Sequence, residues 1–194
     1  MLVIGATWPE PTATGAGVRM MQLLKYFLQN HYKVTFACTA QPLIDLTEIE
    51  KLSISCKQIV LNDTSFDDFI KEERPSIVLF DRFITEEQFG WRVAQYLPHA
   101  LRILDLEDLH CLRKVRHECI KKEIPFSIDR LKQTDITKRE IASIYRCDLS
   151  LVISSFEFEL LTQTFGINEE LLLLLPFMFE ALNENKMDSI RSFS

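Results

Sequence analysis

The chain has 194 residues, 47% of them hydrophobic and 26% charged, with a formal net charge of −6. That hydrophobic share supports one good-sized core and excludes a disordered chain, while the acidic balance argues against a general nucleic-acid binder, which carries a basic stripe. Five scattered cysteines (38, 56, 111, 119 and 147) include no C-x-x-C pair and point to buried thiols in a reducing compartment.

Taken in chain order, Leu2 to Thr7 reads as a buried strand. It runs into a loop and then a helix from about Gly15 to Asn30, whose apolar positions Met20, Leu23, Leu24, Phe27 and Leu28 recur at helical spacing. Lys33 to Thr39 is a second strand, and Ser53 to Leu61 contains a third. Ser65-Phe66-Asp67-Asp68 has the form of a capping box and predicts a short helix ending near Arg74-Pro75. Ser76 to Phe80 is a fourth strand with Asp81-Arg82 at its end. Thr85-Glu86-Glu87-Gln88 predicts a second capping box and a helix to Tyr96.

Leu101 to Leu104 is a fifth strand ending in Asp105. Helices are predicted from about His110 to Lys122 and from about Leu131 to Arg146. Leu149 to Ile153 is a sixth strand, Ser154 to Glu157 caps a helix to about Phe165, and Leu171 to Pro176 ends the series as a seventh strand. The alternation predicts an α/β fold, a Rossmann-like parallel sheet with helices on both faces. One domain is expected over residues 1–182, followed by a polar tail, 183–194, that frays. The longest apolar stretch, Leu171 to Phe179, is shorter than the roughly 20 residues of a membrane helix and contains Pro176. Met1 leads straight into an apolar run without a basic leader, so the expected location is cytoplasmic, with membrane contact at most peripheral.

Ligands of an open parallel sheet bind beyond the carboxyl ends of its strands. That rule selects the loop after the first strand, Asp81-Arg82, the segment Asp105 to Arg113, and Ser154-Ser155. Gly15-Ala16-Gly17 opens a helix, where free N–H groups meet an anion, and Arg19 in the first turn adds charge-assisted hydrogen bonds. The alternative for these glycines is a plain surface turn. The pattern here, G-x-G-x-x-M after roughly ten loop residues, is not the dinucleotide fingerprint, and there is no P-loop.

In DLEDLHCLR, residues 105–113, a carboxylate beside an imidazole suits general-base work, with Asp108 and His110 as the candidate catalytic pair. Asp108 has a structural alternative as the N-cap of the next helix, and His110 as a helix-terminal residue. His110, Cys111, His117 and Cys119 match no zinc spacing, so no metal is expected. Arg113-Lys114-x-Arg116 reads as a solvated helix face, or as a patch for lipid head groups or a charged substrate. There is no G-x-S-x-G elbow and no H-E-x-x-H motif. The acidic cluster and phosphorylatable Asp of a receiver domain are also missing.

Four runs, WPEPTATGAGVRMMQLL, VLFDRFITEEQFGWRV, RILDLEDLHCLR and KREIASIYRCDLSLVIS, resemble the N-terminal half of a bacterial glycosyltransferase family of GT-B fold, near the retaining nucleotide-sugar transferases. The resemblance extends from residue 1 to about residue 180. It implies an acceptor-side domain facing a donor-binding domain across a cleft, with a glycan or lipid-linked acceptor and a nucleotide sugar as co-substrate in place of any cofactor. The Gly15–Gly17 loop would reach toward the donor diphosphate, and Asp81, Arg82, Asp108 and His110 would line the acceptor side of the cleft; Asp105, at the end of the fifth strand, is a further candidate substrate-binding residue. Enzymes of that family are about twice as long, and their donor half has no counterpart in these residues. Two expectations follow: a half-enzyme working with a separate donor-domain chain, or a truncated, catalytically inactive remnant that retains binding. Exposed Phe177, Met178 and Phe179 would then favour self-association.

Overall fold

A computed structural model describes residues 1–41, 49 and 51–178. Seven strands are found among them: β1 (Leu2–Gly5), β2 (Thr35–Cys38), β3 (Ser55–Gln58), β4 (Ile77–Asp81), β5 (Leu101–Asp105), β6 (Leu149–Val152) and β7 (Leu172–Leu174). They form one parallel sheet in the order β3-β2-β1-β4-β5-β6-β7. The predicted α/β class is therefore observed. The direction of winding reverses between β1 and β4, which opens a crevice at their carboxyl ends.

The helices are α1 (Gly15–Gln29), α2 (Ser65–Glu73), α3 (Arg82–Tyr96), α4 (His110–Lys121), α5 (Ile128–Gln133), α6 (Asp135–Arg146) and α7 (Ser155–Glu159), the last continued by a π-helical turn, Leu160–Thr164. Alternation along each strand sends side chains to opposite faces of the sheet. Val3, Leu79, Ile103 and Leu151 pack with Met20, Leu23 and Leu24 of α1 on one face. Leu2, Ile4, Val78, Phe80 and Leu104 pack with Phe66, Phe89, Val115, Leu131 and Ile144 of α2 to α6 on the other. Burial on both faces accounts for the continuous apolar runs of the central strands.

The short helix predicted from Ser65 is found as α2, but its cap and other predicted helix starts are corrected. No side chain of α2 forms the Ser65 box; Asp63 Oδ1 accepts the Ser65 N–H at 2.8 Å, one residue before the N-cap Thr64. The box predicted at Thr85 does not start a helix either, because α3 begins at Arg82, directly on the last residue of β4. Thr85 Oγ1 donates back to the Asp81 carbonyl at 2.9 Å, while Glu86 turns inward to Arg146 and Glu87 pairs with Arg139. The helix predicted from Leu131 to Arg146 is two helices, broken at Thr134, whose Oγ1 accepts the Thr137 N–H at 3.3 Å. Ser154 does cap α7, accepting the Glu157 N–H at 3.2 Å. Phe179 and the tail 183–194 lie outside the described residues. No helix among the described residues is long and apolar enough to cross a membrane.

Candidate active site at the carboxyl edge of the sheet

The β1–α1 loop folds over the crevice because of one close approach. A Cβ on Gly17 would lie 2.4 Å from the Glu10 carbonyl oxygen and 2.5 Å from its carbon, so only glycine lets the loop lie against the helix. Thr14 Oγ1 accepts the Gly17 N–H at 2.9 Å and caps α1. Gly17 therefore serves packing and its N–H is spent. The Gly15 and Ala16 N–H groups have no partner among the described residues, and both residues line a cleft at the positive end of a 15-residue helix.

Two carboxylates stand side by side at the ends of neighbouring strands, Asp81 opposite Asp105 in the β4–β5 register. Asp81 Oδ2 accepts the Ala6 N–H at 3.0 Å, tying β4 to the start of the loop, and Arg82 donates to both Asp81 oxygens at 3.1 and 2.9 Å. Asp105 is fully buried and holds Arg19 of α1, whose Nε lies 2.9 and 3.0 Å from its oxygens. Burial pushes the Asp105 carboxyl up, and Arg19 opposes that push. Arg19 Nη1 also donates to the Leu175 carbonyl at 2.8 Å. Its Nη2 approaches Asp105 Oδ1 at 2.8 Å but points off the hydrogen-bond direction, leaving that buried nitrogen without a partner among the described residues.

Beyond β5 the chain turns through Glu107, a left-handed residue with φ 56°. Burial pushes the Glu107 carboxyl up to about 7, with Asp81 adding to the shift and Arg82 opposing it. Asp108 is not the N-cap of α4. That position is Leu109, and Asp108 instead receives Arg113 Nε at 2.6 Å and Nη2 at 3.3 Å. The free N–H groups of α4 are met from afar: Glu157 accepts from Leu109 at 2.8 Å, and Glu140 accepts from His110 at 3.0 Å and Cys111 at 2.7 Å. This helix start therefore already holds two of the chain's own carboxylates. Burial pushes Glu140 up to about 7.

His110 starts α4 with its ring edge-on to Phe83, 5.8 Å between centroids. Its Nδ1 is buried, 3.9 Å from Asp108 Oδ1, beyond hydrogen-bond reach. Burial lowers its pKa, so the imidazole is neutral at pH 7.

A cleft of about 320 Å³ gathers Gly15, Ala16, Arg19, Arg82, Glu107, Asp108, Arg113 and Phe177. A smaller space of about 20 Å³ adjoins it, lined by Trp8, Glu10, Gly17, Asp81, Arg82 and Glu107. Six of the eight predicted site residues thus line one or the other: Gly15, Gly17, Arg19, Asp81, Arg82 and Asp108. Asp105 stands behind them as the partner of Arg19, and His110 lines neither space. Glu107 lines both, which sequence reasoning undervalued; the signal was its place between two carboxylates in a strand-end cluster. A larger cavity of about 490 Å³ lies at the opposite edge, around Lys71, Arg74, Tyr96 and His99. There α2 and α3 end, and Arg74 Nε donates to the Lys71 carbonyl at 3.1 Å in the last turn of α2. Among the described residues no group of His, Cys, Asp or Glu is placed to hold a metal ion.

No family model and no curated protein sequence matches the chain. Solved structures do. One is the apo form of the lipopolysaccharide outer core galactosyltransferase WaaB, with a TM-score of 0.55 and 16% identity over 90% of this chain and 44% of that one. Another is a glycosyltransferase from Rickettsia africae ESF-5, with a TM-score of 0.57 and 12% identity over 98% of this chain and 48% of that one. At such identities the likeness shows a shared fold, the α/β Rossmann-like fold of these glycosyltransferases. The chain spans less than half the length of either structure.

Proposed function

We propose that this chain is the acceptor-side domain of a glycosyltransferase that moves a sugar from a nucleotide-sugar donor to a glycan or lipid-linked acceptor. The observation that carries the reading is the 320 Å³ cleft at the switch point, where Gly15 and Ala16 N–H groups without a partner among the described residues share the lining with Arg82 and the carboxylates of Glu107 and Asp108. Donors of this kind suit a diphosphate. Carboxylates beside them suit the hydroxyls of an acceptor sugar. The shared fold with two glycosyltransferases supports the same reading.

In this reading the N–H groups of Gly15 and Ala16 with Arg82 stabilise the departing nucleoside diphosphate. Arg19 and Asp105 fix α1 so that those N–H groups aim across the cleft. Asp108, which lines the cleft, is the group placed to take the acceptor proton, with His110 behind it against Phe83. A donor-binding domain, on a separate chain or in a longer protein, closes the cleft and supplies most of the nucleotide contacts; a few hydrogen bonds from one loop hold a donor only weakly. Self-association is the alternative source of that second wall.

The test is release of nucleoside diphosphate from UDP-, GDP- and dTDP-sugars by this chain mixed with a separately expressed donor-binding domain. Release that needs both proteins and disappears with Arg82→Ala supports the reading. No release from any donor by folded, mixed domains overturns it and favours a binding module without activity.

A further inference from the structure

Arg82 and Glu107 follow the ends of adjacent strands, and both adopt left-handed backbone, with φ 70° and 56°. Side chains rarely tolerate that region, and such strain gathers where the surroundings over-determine a functional geometry. The strain brings Glu107 Oε2 to 3.5 Å from Arg82 Nε, while Arg82 already donates to Asp81 at 3.1 and 2.9 Å. Both residues line the cleft and the small space beside it. The same cleft is lined by Gly15 and Ala16, whose N–H groups have no partner among the described residues, while Arg19 behind them is 1% exposed and already paired with Asp105. The site thus has N–H donors open to an anion and one cation occupied by a nearby carboxylate.

We infer that Glu107 is a proton-linked competitor for the anion site of this cleft: when a diphosphate engages Arg82 and the Gly15–Ala16 N–H groups, Glu107 yields Arg82 and takes up a proton from solvent. The inference rests on the diphosphate reading above and adds its regulation by pH. Asp81, Asp105 and Asp108 raise the Glu107 carboxyl and Arg82 lowers it, while Arg19 and Arg113 share the cleft with it and Glu10 the small space. Burial holds the Glu107 carboxyl up at about 7, and Arg82 is the neighbour that opposes this. An anion that draws Arg82 away and adds negative charge raises the carboxyl further, so binding and protonation favour each other. Affinity is greatest where Glu107 is protonated and falls as pH rises through 7. Between pH 6 and pH 8 the linkage amounts to about tenfold in affinity.

The experiment is calorimetric titration of the whole chain with UDP-glucose and, separately, with sulfate, because neither probe changes charge between pH 6 and pH 8. Both are expected to bind about tenfold more weakly at pH 8 than at pH 6, with net proton uptake near pH 7 read from buffers of different ionisation heat. Glu107→Gln should bind at pH 8 as the unaltered chain does at pH 6, with no proton uptake. Glu107→Asn, which tolerates left-handed backbone, serves if the Gln variant does not fold. Binding without pH dependence overturns the inference and leaves the glycosyltransferase reading standing. A pH dependence unchanged in the variants assigns the proton elsewhere and also overturns it. No binding of either probe to folded protein at any pH overturns the inference, while the glycosyltransferase reading is judged by diphosphate release with the donor-binding domain present.

Discussion

Arg19 and Asp105 form an ion pair sealed between α1 and the end of β5, with side chains 1% and 0% exposed. The pair joins residues 86 positions apart and fixes the start of α1 over the strand ends. Through the Arg19 bond to the Leu175 carbonyl it also ties down the chain leaving β7. In the proposed reading the N–H groups of Gly15 and Ala16 therefore owe their aim to this buried pair.

Removing one partner leaves the other charge buried without compensation. Asp105→Ala should destabilise the chain by about 3–5 kcal/mol in urea unfolding. The double change Arg19→Met, Asp105→Leu should recover most of that loss, since a well-packed apolar pair often matches a buried ion pair. Equal losses in the single and double variants would show that the pair's geometry, not its charge balance, holds α1.

The two loop glycines should behave oppositely. Gly17→Ala places a methyl against the Glu10 backbone at 2.4 Å and should cost about 1–3 kcal/mol. Gly15→Ala meets only the Phe177 ring at 3.9 Å and should stabilise α1 by about 0.5–1 kcal/mol. Thermal unfolding of both variants measures the contrast.

Much of the fold is legible in the sequence, for a physical reason. Central strands buried on both faces are uninterrupted apolar runs, as in Leu2 to Ile4 and Val78 to Phe80. The strand ends then show as abrupt polar residues, Asp81 and Asp105. Helix starts are less legible, because a cap depends on backbone angles that Ser65 and Thr85 do not declare. Asp108 looked able to cap α4, but the chain turns left-handed at Glu107 and presents Asp108 to Arg113. The carboxylates that do meet α4, Glu140 and Glu157, lie 30 and 48 positions away from their partners and carry no local signal.

Glu140 gives stability a pH dependence of definite sign. Its carboxyl is held at about 7 in the folded chain, against 4.5 as its ordinary value. The folded state therefore binds more protons than the unfolded one between these values. This contribution is fully present below about pH 4.5 and is lost as pH rises through about 7, an effect of about 3 kcal/mol. Glu140→Gln should flatten the fall in unfolding free energy between pH 5 and pH 8, whatever its effect on the absolute value. An unchanged slope would place the titration in another group.

In the proposed site Arg82 carries a backbone cost. Its φ of 70° is unfavourable for a side chain and free of penalty for glycine. Arg82→Gly should release roughly 1–2 kcal/mol of backbone strain while losing the bonds to Asp81. Unfolding should show little net change, and anion binding should fall sharply. Unimpaired sulfate binding by this variant would remove Arg82 from the site.

The most direct measurement is amide and side-chain shift mapping of the isotope-labelled chain titrated with UDP-, GDP- and dTDP-sugars and with glycan acceptors. The account predicts shifts concentrated at Gly15, Ala16, Arg82, Glu107 and Asp108, weak in affinity but saturable. Shifts confined to the opposite edge, around Lys71, Arg74 and His99, or no shifts from folded protein, would contradict it.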